Sequence, residues 1–145
     1  MKVTRLFQIC LTLGYIGMTA QAAEDNPESN HLLNRTIVIS NDHIDQSVRC
    51  QLVLAHFVTY DPVNIAPKDT LLIPVELRNS DRTIFYLYAG TYMAIEDLLC
   101  GFDSNWSLTR RELSLTPLQS LTVESLHFTC GFNQSFFCME STLEP

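Results

Sequence analysis

The sequence predicts a mainly β protein: a small antiparallel β-sandwich or barrel of about six or seven strands, with one short helix near residues 91–100 and two disulfides. Three observations carry that prediction. Apolar residues recur with period two along most of the chain. Turn-forming clusters interrupt them about every eight to twelve residues. Four cysteines, an even number, remain once the N-terminal segment is set aside. Of the 145 residues 46% are hydrophobic and 17% charged, with mean hydropathy +0.08. That is too apolar for a disordered chain and too short for two ordinary domains.

The chain opens with Lys2 and Arg5, then a mostly apolar run from Leu6 to Ala20, then Ala20-Gln21-Ala22. This is the pattern of a secretory signal peptide over residues 1–22, cut before Ala23. The run is shorter than the roughly twenty residues a membrane span needs. Cys10 lies inside it and leaves with it. The expected product is an exported chain of 123 residues holding Cys50, Cys100, Cys130 and Cys138, all 16 acidic side chains and a net charge of −9. That charge opposes nonspecific nucleic-acid binding. After signal cleavage no membrane contact is expected, and the compartment is periplasmic or extracellular. The Ala-x-Ala site suits a periplasm. Three N-x-S/T sequons, at Asn34, Asn105 and Asn133, leave a eukaryotic secretory route open.

Residues 23–34 are polar and read as a flexible tail; a single β-rich domain is expected over 35–145. Ile37 and Ile39 alternate with polar neighbours in a first strand. Val48 to Tyr60 is the longest run, with Val48, Cys50, Leu52, Leu54, His56 and Val58 sharing one face. Asp61-Pro62 ends it. Thr70 to Arg78 alternates cleanly, with Leu71, Ile73, Val75 and Leu77 inward; Pro74 cannot donate to a ladder and marks an edge strand. Asn79-Ser80-Asp81-Arg82 forms a hairpin turn into the aromatic strand Thr83 to Ala89.

From Thr91 to Gly101 the period changes. Ile95, Leu98 and Leu99 stand at i, i+3 and i+4, Thr91 suits an N-cap and Gly101 a left-handed end, so a short helix is expected, with a strand as the alternative. Three more strands follow, at about Arg111–Leu115, Ser120–Thr129 and Ser135–Met139. The second changes phase near Glu124-Ser125, where a bulge would reconcile its halves. Cys100-Gly101-Phe102-Asp103 is echoed by Cys130-Gly131-Phe132-Asn133.

The preferred pairing is Cys50–Cys100 with Cys130–Cys138, the first tying the longest strand to the end of the helix and the second clipping a hairpin. Spacing alone leaves Cys50–Cys130 with Cys100–Cys138 open. No C-x-x-C exists, and His127-x-x-Cys130 is the only short ligand pair, so no metal or other cofactor is expected. His56 and His127 read as half-buried structural histidines. No serine stands in a nucleophile-elbow context. Glu96-Asp97, with Asp103 nearby, is read as a solvated helix face, since adjacent helical residues do not face each other. Arg110-Arg111 is too small a basic cluster to argue from.

The aromatics carry the functional expectation. If Phe85 and Leu87 face the core, Tyr86 and Tyr88 line a surface, and with Tyr92 and Trp106 they are the candidate partner-binding residues. The sequence thus predicts an exported, non-enzymatic β-domain that binds a protein or carbohydrate partner. The alternatives are a small secreted hydrolase using carboxylates or histidines, and an inhibitor of a secreted enzyme.

Overall fold

The computed structural model describes residues 31–141. The expected signal segment and residues 23–30 lie outside the described residues. Among those described, nine strands occur: β1 (Leu32–Asn41), β2 (Val48–Leu54), β3 (Val58–Tyr60), β4 (Thr70–Arg78), β5 (Ile84–Tyr88), β6 (Thr91–Phe102), β7 (Arg111–Glu112), β8 (Ser125–Asn133) and β9 (Ser135–Ser141). One short helix, α1 (Trp106–Thr109), joins β6 to β7.

The strands run in the order β3-β2-β6-β5-β4-β1-β8-β9, with β7 also beside β6, and the sheet curls into a half-barrel. The expected mainly β fold with two disulfides is therefore present, with nine strands in place of six or seven. Pairing is antiparallel except between β1 and β8, which run parallel. Leu32, Leu33 and Asn34, expected in the tail, already belong to β1.

The helix expected near 91–100 is the strand β6. Its first residues, Thr91 to Ala94, pair with β5, and Ile95 to Phe102 pair with β2. Val53 faces Asp97 while the next residue, Leu54, faces Ile95, so Glu96 is an extra residue on β6. That bulge turns both Ile95 and Leu98 inward although they are three apart. The i, i+3 spacing has this origin, not a helical turn. Ala89 and Gly90, with φ of 49° and 83°, form the two-residue turn that starts the strand. Gly101 is no helix end either: a Cβ there would lie 2.7 Å from the Arg110 backbone nitrogen, where the chain returns from α1.

The core-facing phases of β2 and β4 are as expected. Val48, Cys50, Leu52 and Leu54 are buried from β2, and Ile73, Val75 and Leu77 from β4, packed on Ile37, Ile39, Leu98 and Leu126. Pro74 sits on an interior strand, but β4 pairs with β5 only at Glu76 and Leu77, so at Pro74 one side is unpaired. The Asn79–Arg82 turn forms as read. Arg82 has φ 61° and donates its N–H to the Arg78 carbonyl, and the Asp81 carboxylate accepts from Thr83 N–H and from the Arg78 guanidinium. The Arg78 ion pair holds the Asp81 carboxyl well below the usual carboxylate range. The strand expected over Ser120–Thr129 begins only at Ser125, and the 111–115 strand shrinks to β7. The run Val48–Tyr60 breaks at a tight turn over Ala55–Phe57, which removes His56 from the inward face and leaves it exposed.

Both disulfides have the preferred pairing. Cys50 and Cys100 face each other across β2 and β6, and Cys130 and Cys138 across β8 and β9, with Cα–Cα distances of 4.2 and 3.9 Å. These are the close, non-hydrogen-bonded positions of antiparallel ladders. The two Cys-Gly-Phe echoes converge: the Phe102 and Phe132 rings lie 6.0 Å apart, with His43 packed edge-on against both.

Two buried polar side chains lock the loops. Asn41, 1% exposed, donates to the carbonyls of Gln46, Ile65 and Ala66 and accepts from His43 N–H. Arg35, on the core face of β1, donates to the Asn34 and Leu121 carbonyls. Because Pro74 forces a non-hydrogen-bonded pair with Thr36, the Asn34 carbonyl points toward the β8 side, ahead of where β8 begins. Arg35 thus clamps the 121–124 segment to β1. Arg35→Lys keeps the charge but loses the fork that spans both carbonyls. The expected cost is about 1 kcal/mol, read by denaturant unfolding.

Candidate functional site

The aromatic strand faces the opposite way from the expectation. Ile84, Tyr86 and Tyr88 share the core phase, and the Tyr86 and Tyr88 rings pack 5.3 and 5.6 Å from that of Tyr60. Phe85 and Leu87 point outward. The signal was in the sequence: Ile84, a strongly buried type, lies in phase with both tyrosines. Burial, and then the neighbouring Tyr60 phenol, push the Tyr86 hydroxyl up from 10.0 to about 12. The folded state therefore holds this proton more tightly than the unfolded chain. The associated stability is fully present below pH 10 and is lost as pH rises toward 12. Phenolate absorbance and the melting temperature, followed together through that window, are expected to change in step.

Tyr92 is on the outer face, as a surface residue should be. It is 45% exposed, it stands opposite Leu87 on β5, and its hydroxyl donates to Glu76 Oε1 at 2.7 Å. A depression of about 350 Å³ opens beside it, lined by Asn34, Thr36, Pro74, Glu76, Phe85, Leu87 and Tyr92 with backbone between them. Its floor is low because Thr36 and Pro74 are short side chains. A second hollow of about 330 Å³ lies against Leu32, Arg78, Phe85 and Tyr92. Phe85 and Tyr92 are common to both. The Arg78 guanidinium sits 4.8 Å over the Phe85 ring, and Leu72 and Leu87 remain 62% and 52% exposed. The face combines exposed apolar surface with a few fixed polar groups.

Trp106 does not join this platform. It is half-buried in α1 with the Arg49 guanidinium 4.9 Å over its ring, and Arg49 is held by Asp61 at 2.6 Å.

Residues considered for chemistry are placed as follows. Glu96 and Asp97 line a cleft of about 290 Å³ with Asp81 and Glu112; Asp103 is elsewhere. Of these carboxylates Glu96 and Glu112 are exposed, Asp97 is half-buried and Asp81 is tied to Arg78. His127 lies on β8 with its Nε2 3.2 Å from Ser125 Oγ, a contact that strand alternation at i, i+2 made readable. Among the described residues no carboxylate hydrogen-bonds the other ring nitrogen, and the pair lines none of the three hollows described above. Neither the protein-family models nor the curated proteins compared with this chain give a match.

Proposed function

We propose that this chain is an exported, non-enzymatic binding domain that engages a protein or carbohydrate partner through the outer face around Tyr92, Phe85 and Leu87. The supporting observation is that face itself: an aromatic and aliphatic platform beside a 350 Å³ depression, on a scaffold held by two cross-strand disulfides. Aromatic anchors in such positions carry most of the energy of an interface. The rim charges are already matched, Arg78 by Asp81 and Glu76 by the Tyr92 hydroxyl, so a partner meets little uncompensated charge. The disulfides fit an oxidising compartment, periplasmic or extracellular.

The test compares native chain with Tyr92→Ala and Leu87→Glu on a glycan array and in crosslinking within the compartment of origin. Both variants change exposed side chains, so unchanged melting temperatures certify folding. Loss of the same partner in both variants supports the reading. Partners retained by both overturn it.

A further inference from the structure

The loop between Asn41 and Val48 joins β1 to β2 and carries His43. The His43 side chain is 17% exposed, with its ring 5.0 Å from that of Phe102 on β6 and 6.4 Å from that of Phe132 on β8. Three groups converge on one of its nitrogens, Nδ1. The backbone nitrogens of Gln46 and Asp45 direct their N–H groups at it from 3.2 and 3.3 Å, and the Asp45 carboxylate oxygen Oδ1 lies 2.8 Å away. Nδ1 cannot serve both kinds of partner at once. Accepting from N–H groups requires a lone pair there, so the hydrogen of a neutral ring sits on Nε2. Donating to a carboxylate requires a hydrogen on Nδ1 itself. A ring that takes up a proton therefore loses this acceptor and gains a donor, and both sets of partners are already within reach.

We infer that the β1–β2 loop is a proton-operated latch. With the ring neutral, Nδ1 accepts from the Asp45 and Gln46 N–H groups and closes the loop. When the ring takes a proton from solvent, Nδ1–H donates to the Asp45 carboxylate and both backbone groups are released. The ring need not move for this exchange, and its packing against Phe102 and Phe132 keeps it in place. Among the described residues the carboxylate within ion-pair distance of the ring is that of Asp45. On the same loop Asp42 is paired with Lys68, whose ammonium holds the Asp42 carboxyl below its ordinary range, so that pair stays charged wherever a histidine titrates. From β6 the ring meets Phe102, followed by Asp103, whose N–H donates to the Ser47 carbonyl; from β8 it meets Phe132, followed by the neutral Asn133. The release acts at a fixed point. The Gln46 carbonyl accepts from the buried Asn41 amide at 2.8 Å, and its side-chain Oε1 accepts from Ser104 Oγ at 3.1 Å. Freeing the Gln46 N–H thus loosens the loop where it touches the segment after β6. The latch lies at the opposite end of β6 from Tyr92, and its test needs no partner.

The experiment is nitrogen-15 and proton NMR of the disulfide-intact chain, titrated from pH 8 to pH 5, the range in which histidine ordinarily changes charge. The ring nitrogen shifts of His43 should show Nδ1 without hydrogen at pH 8 and with it at pH 5. The Asp45 and Gln46 amide signals should move in step with the ring. Protection of the Gln46 N–H, corrected for the intrinsic pH dependence of exchange, should fall by about tenfold, the worth of one ordinary hydrogen bond. Amides of the strand interiors should stay in place, which separates the latch from general unfolding. His43→Asn offers an amide oxygen to the same two N–H groups, as asparagine does in turns, but takes up no proton. It should hold the Gln46 N–H at both ends of the range. The native titration needs no variant, so the test stands even if His43→Asn folds poorly. A neutral ring carrying its hydrogen on Nδ1 at pH 8 overturns the inference, because Asp45 would then be its partner throughout. So does a Gln46 amide that stays fixed while the ring titrates. The same loosening in His43→Asn overturns it as well, by assigning the change to His31, His56 or His127.

Discussion

Replacing Cys50 and Cys100 together by alanine is expected to lower the unfolding free energy by about 4 kcal/mol, against about 2.5 kcal/mol for the same change at Cys130 and Cys138. The difference follows from the loops closed, with sequence separations of 50 and 8 residues. In the chain-entropy account, crosslinking removes more freedom from the unfolded ensemble when the loop is long. A domain of this size is stable by only about 5–15 kcal/mol. The longer bridge alone can therefore decide whether the domain is folded at physiological temperature. Packing adds to the contrast. Cys50 and Cys100 are 1% and 0% exposed beside buried Leu52 and Leu98, so their loss opens the core from both sides; Cys130 is buried as well, but its partner Cys138 is half-exposed on the edge strand β9. Guanidinium unfolding of the two double variants checks the order. Mild reduction of the native chain, followed by alkylation and mass mapping, should label Cys130 and Cys138 before Cys50 and Cys100. Equal stabilities, or first labelling at Cys50, would contradict this account.

What the sequence disclosed was mostly what periodicity controls. The inward phases of β2 and β4 and the Asn79–Arg82 turn follow from local pattern, whereas the Cys50–Cys100 pairing is reached from the sequence through a helix that is in fact β6, and the bridge is cross-strand instead. Two features were hidden for a definite physical reason. A β-bulge adds one residue and shifts the phase, so Ile95 and Leu98 on β6 imitate a helix. Only the Val53–Asp97 and Leu54–Ile95 register reveals Glu96 as the extra residue. The parallel pairing of β1 with β8 depends on contacts about ninety residues apart, such as Ile37 with Leu126, which no local window carries.

The platform was half legible. The sequence points to Tyr92, which lies on it, but also to Tyr86 and Tyr88, which face the core, because alternation defines two faces without saying which is wet. Ile84 in phase with them broke that symmetry, as did the pull of Tyr60 from β3. The depression beside Tyr92 was not legible at all. It exists because β4 and β5 pair at only two positions, and because Thr36 and Pro74 stand short on its floor.

The second large effect concerns the β2–β3 turn, where His56 and Phe57 have φ of 63° and 61°, a region in which a Cβ is strained. His56→Asn with Phe57→Gly should raise the unfolding free energy by about 1–2 kcal/mol. Each substitution replaces a side chain that resists positive φ by one that tolerates it, partly offset by the extra freedom glycine brings to the unfolded chain. The native ring offers nothing to set against this gain, because Phe57 is almost fully exposed and His56 is exposed as well. Thermal melts and guanidinium unfolding of the native chain and the double variant check this sign. A destabilised variant would mean that His56 and Phe57 hold the hairpin through contacts not seen among the described residues.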